Sequence, residues 1–103
     1  EGAAQWIPYA LNDLQRRMPG LGGGMTADVL RANRIYVTCQ TDDDIAYLMD
    51  HAGEGNFLIG TDYGHNDQSS ELEALRNLRS GGRITPHQYQ QITYDNPKAF
   101  YGL

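Results

Sequence analysis

Only two stretches of this chain read as β-strands, and a helix separates them. Ile35 to Cys39, I-Y-V-T-C, is rich in β-branched and aromatic residues. Phe57, Leu58 and Ile59 form a continuous apolar run closed by Gly60. A run without alternation suits a strand covered on both faces, as in a parallel sheet. Between them, Thr41 and Asp42 are placed to cap a helix running to about His51, with Ile45, Ala46, Leu48 and Met49 on one face. Gly53 and Gly55 break it.

The flanks are helical. Trp6 to Met18 carries Trp6, Ala10, Leu11 and Leu14 at helical spacing, with Asn12, Asp13, Gln15 and Arg16 on the wet side. Pro8 fits its first turn. Pro19, Gly20 and Gly22 to Gly24 end it in a loop. Thr26 to Ala32 reads as a short helix capped by Thr26. Glu71 to Ser80 is a helix with Leu72, Leu75 and Leu78 facing the core. Thr85, Pro86 and Gln88 form a helix start, with cap, first-turn proline and capping-box partner. That helix runs to about Tyr94, and Asn96-Pro97 open a last one through Tyr101.

The order helix, strand, helix, strand, helix, helix predicts an α/β fold with parallel pairing. Two parallel strands leave two edges and much apolar face uncovered. The expectation is therefore a fragment, 1–103, of a larger domain. A start at Glu1-Gly2, with no Met and no signal-peptide pattern, points to a cut or processed end. The alternative is a small module that completes its sheet by dimerising.

Charge and cysteine usage narrow the function. Thirteen acids against eight bases give a net charge of −5. That leaves no basic stripe for a phosphate backbone, so nucleic acid is not an expected partner. No apolar run has membrane-spanning length. The single cysteine, Cys39, excludes an internal disulfide. It fits a reduced, cytoplasmic protein with one buried, inert thiol.

The chemistry-bearing segment is L-I-G-T-D-Y-G-H, Leu58 to His65. In parallel α/β folds ligands sit beyond the carboxyl ends of strands. Asp62 falls there, and His65 follows in the same loop. Asp62 has the chemistry to bind a divalent cation or to take a proton from a metal-bound water. On spacing alone, a turn former or helix cap is the plainer account of this Asp.

This segment resembles the last-strand motif of the amidohydrolase superfamily, in the branch related to aminocarboxymuconate-semialdehyde decarboxylase. There an apolar strand is followed by Gly, Ser or Thr, Asp, an aromatic residue, usually Pro, and often His. The ending Asn96-Pro97-Lys98-Ala99-Phe100-Tyr101-Gly102 looks like the family's closing helix, and Glu1 to Tyr9 looks like its sixth strand-to-helix segment. The resemblance implies the C-terminal part of a (β/α)8 TIM-type barrel, with Ile35 to Cys39 as strand seven and Phe57 to Gly60 as strand eight. It implies Asp62 as a metal-ligating or proton-handling residue, with His65 and Glu1 contacting substrate. The metal would be zinc or manganese, the substrate a carboxylate-bearing, often aromatic small molecule, and the reaction hydrolysis or non-oxidative decarboxylation. The partners implied are the rest of the barrel and further copies of the chain in a homo-oligomer.

Two departures stand out. Gly64 replaces the usual proline. The family's His-x-His or Glu-x-His pair and its strand-five His have no counterpart here, so the chain alone is expected to be inactive.

The other polar residues read as structural. Asp42, Asp43 and Asp44 lack the spacing and downstream Glu of a calcium loop, and a capped helix start explains them. His51 suits a helix C-terminus at the surface, and His87 an exposed first turn. The seven tyrosines are expected mostly in the core or at interfaces. Tyr63, beside Asp62, is the one pocket candidate among them.

Overall fold

A computed structural model of the chain describes residues 2–18, 26–62, 64 and 73–103. The glycine-rich loop at 20 to 24, and with it Glu1, Tyr63, His65 and Leu72, lies outside the described residues. The elements are α1 (Trp6–Arg17), α2 (Thr26–Ala32), β1 (Val37–Cys39), α3 (Ile45–Ala52), β2 (Phe57–Ile59), α4 (Ala74–Ser80), α5 (Pro86–Gln90), a π-helical segment (Gln91–Asp95) and α6 (Asn96–Tyr101).

β1 and β2 pair in parallel, as their apolar composition predicts, with Val37 opposite Phe57, Thr38 opposite Leu58 and Cys39 opposite Ile59. Side chains alternate across a strand, so Val37, Cys39, Phe57 and Ile59 share one face. Helices cover that face: Val37, Cys39 and Phe57 are buried with Leu48, Met49 and Ile92. Thr38 and Leu58 share the other face, where Thr38 is exposed and Leu58 half-buried.

β1 is two residues shorter than the sequence pattern suggests. Ile35 and Tyr36 precede the ladder, and Ile35 is exposed. The Ile35 backbone serves other bonds instead. Its N–H donates to Leu30 O at 2.9 Å, closing the end of α2, and its carbonyl accepts from Asn56 Nδ2 at 3.0 Å.

The buried face of α1 is rotated from the expected one. Ala4, Ile7 and Leu11 enter the core, whereas Trp6 is exposed and its indole N–H donates to Ala3 O at 3.0 Å. A stripe through Ile7 and Leu11 presents branched aliphatics to the core, on the side of α2 and α3, and it places the Trp on the outer flank. Asp13 stays on the wet side with Arg16 and Arg17 at 2.9 and 2.7 Å. Of the predicted α4 core residues, Leu78 is buried but Leu75 is exposed. Of the tyrosines, Tyr9, Tyr47, Tyr94 and Tyr101 are exposed and so stand outside the core.

The capping box at Thr85 forms as read. Gln88 N–H donates to Thr85 Oγ1 at 3.1 Å, and Thr85 N–H donates to Gln88 Oε1 at 3.0 Å. The helix then continues through Tyr101 instead of stopping near Tyr94, with one widened turn at 91–95. In that turn Asn96 N–H reaches back five residues to Gln91 O. The widening falls just before Pro97, which has no N–H and whose ring crowds the carbonyl four residues earlier.

This geometry delivers Asn96 to the strand. Asn96 is buried, and its Nδ2 donates to Glu54 O at 2.7 Å and to Phe57 O at 2.8 Å. Both amide hydrogens are spent on backbone carbonyls at the start of β2. Replacing Asn96 with Ala strands two carbonyls, at a cost on the order of 2 kcal/mol or more. Asn96→Asp is expected to cost more at neutral pH, because an anionic acceptor then faces two carbonyls. Part of that loss should return as pH falls from 7 toward about 4, since a protonated carboxyl donates one bond and burial raises its folded pKa above the unfolded value. Urea unfolding of both variants at pH 4 and pH 7 measures this; equal losses for the Asp variant at the two pH values would contradict the clamp.

Candidate functional site

The carboxyl ends of β1 and β2 open onto two short segments, Gln40 to Asp44 and Gly60 to Asp62. The ladder extends one residue beyond β2, since Gly60 N–H donates to Cys39 O at 2.9 Å. A side chain at position 60 would bring its Cβ to 2.9 Å from Thr38 Cγ2, so anything larger than glycine would have to displace the exposed Thr38 methyl where the two strands leave the sheet. Thr61 and Asp62 follow at intermediate exposure. Asp62 therefore emerges beyond the carboxyl end of a parallel strand, as its position after the apolar run predicts. Its backbone is left-handed, with φ 51°, a conformation that Asp tolerates better than most residues.

The segment after β1 is held by Asp43, whose role sequence reasoning missed. Asp43 is buried at 4% exposure, and its Oδ2 accepts from Ala4 N–H at 3.0 Å and from Gln40 N–H at 2.9 Å. One carboxylate thus ties the entry of α1 to the turn that leaves β1. Asp44, not Thr41 or Asp42, caps α3, accepting from Tyr47 N–H at 3.2 Å. The acidic run is a capped helix start, as expected, with the cap two residues later than expected. No signal in the sequence separates Asp43 from its two acidic neighbours.

Arg83 closes the rim. Its Nη2 donates to Thr41 O at 3.2 Å, tying the α4–α5 connection to the same turn. A cleft of about 200 Å3 lies here, lined by Gln5, Asp42, Asp43, Asp44, Ile45 and Arg83 among others.

Cys39 is fully buried at the end of β1. Burial, and after it the charge of Asp43, pushes its thiol up to about 12. A thiol held neutral in this way is a poor nucleophile, which agrees with the inert reading. His51 lies in the last turn of α3 with its ring stacked on Tyr47 at 5.8 Å. His87 is exposed, 3.1 Å from the Glu54 carboxylate.

Of the predicted site residues, the described structure locates Asp62 alone; His65 and Glu1 lie outside it. A catalytic zinc takes three protein ligands. Among the described residues, no three His, Cys, Asp or Glu side chains come together to hold a metal ion. Taken alone, the described residues fall short of that ligand number, and no metal-dependent step is assigned to them. Among the described residues no helix is long and apolar enough to cross a membrane. Compared with known proteins, the chain matches no family model, no curated protein and no solved structure.

Two outcomes test this geometry. Asp62→Gly and Asp62→Ala both remove the carboxylate, but only Ala must adopt the left-handed backbone. The Gly variant should be the more stable by about 1 kcal/mol in urea unfolding, and equal stabilities would show that position 62 is not left-handed. The Cys39 thiol should resist a thiol reagent at pH 8 until the chain is denatured. Its folded pKa lies above the ordinary value near 9, so burying the neutral thiol contributes stability in full below pH 9. That share is lost as pH rises from 9 toward 12. Unfolding of Cys39→Ala across the same range should lack that part of the slope, and an identical slope in both proteins would refute it.

Proposed function

We propose that the chain is the C-terminal part of a metal-dependent amidohydrolase-type (β/α) barrel, supplying Asp62 to a site completed by the rest of the barrel. The observation that carries this reading is the position of Asp62: half-buried, just beyond the carboxyl end of the second of two parallel strands. Ligands in parallel α/β folds gather at that end. The sheet supports the same reading. One face is covered by helices, while the Thr38–Leu58 face is partly open and would turn to the barrel interior.

In the intact enzyme, zinc or manganese would be held mainly by side chains outside 1–103. Asp62 would bind the metal or hold a proton beside it, with His65 and Glu1 toward the substrate, a small carboxylate-bearing and possibly aromatic molecule. The reaction class is hydrolysis or non-oxidative decarboxylation. The intact enzyme would be cytoplasmic and homo-oligomeric.

A second reading rests on the sheet edges. Among the described residues β1 and β2 pair only with each other, and a non-catalytic module could cover such edges by pairing two copies.

The test uses the chain alone and the chain combined with the remaining, N-terminal portion of the barrel. The chain alone should show no turnover of carboxylate substrates with zinc or manganese. The combination should gain metal-dependent activity, and Asp62→Asn should lower it by about 100-fold or more. A well-folded dimer of the chain alone, indifferent to metal and to the barrel portion, would instead establish the module.

A further inference from the structure

We draw no further inference here: the strongest candidate, the shallow apolar groove along α6 lined by Tyr94, Pro97, Tyr101 and Leu103, is an unpartnered face, and nothing in the structure shows what covers it.

Discussion

The structure depends on how the start of β2 is held. A strand of three residues has too few ladder bonds to fix its own register. Two asparagines supply what the ladder lacks. Asn56 bridges to Ile35 O through its side chain, and its carbonyl accepts from Val37 N–H at 3.0 Å. Asn96 reaches in from α6 and bonds the carbonyls of Glu54 and Phe57. Both asparagines are buried, where a hydrogen bond left unmade costs most. The strand is thereby fixed against β1 on one side and the C-terminal helix on the other. The point at which β2 ends, and hence where Asp62 emerges, follows from that.

The same economy governs the turn after β1. Asp43 takes two backbone N–H groups from segments 36 residues apart, at Ala4 and Gln40. Arg83 adds a bond from a third segment. The mouth of the small sheet is therefore built from polar side chains bonded to backbone, while its floor is aliphatic and aromatic packing beneath Val37, Cys39 and Phe57. A rigid floor and a polar rim are what a site at the carboxyl end of a sheet requires.

Much of the fold was legible because local chemistry agreed with the tertiary outcome. The apolar run at 57–59 forms a parallel strand, as its lack of alternation predicts, and Thr85, Pro86 and Gln88 form a capping box whose partners are near neighbours in sequence. The errors arose where distant groups decide. Helical spacing places Trp6 inward, yet periodicity alone does not choose between adjacent stripes of a helix, and Trp6 is exposed. Leu75 is expected in the core with Leu78 on the same helix, yet it is exposed while Leu78 is buried. Ile35 has strand chemistry, but its backbone bonds go to Leu30 and Asn56. The roles of Asp43 and Asn96 were illegible for the same reason: Asp43 joins the nearby Gln40 to Ala4, 39 residues away, and both partners of Asn96 lie 39 to 42 residues away. In the candidate site, the position of Asp62 was readable because it follows directly from the end of the apolar strand.

If, as proposed, Asp62 serves a metal-bearing site completed by the rest of a barrel, added metal should be felt first at the residues just beyond β2. Paramagnetic Mn2+ added to the isotope-labelled chain, combined with the rest of the barrel, tests this most directly. Amide signals of Gly60, Thr61 and Asp62 should broaden first and at the lowest Mn2+ concentration. Broadening that begins instead at the exposed carboxylates of Asp42 and Asp44, with 60–62 unaffected, would contradict it.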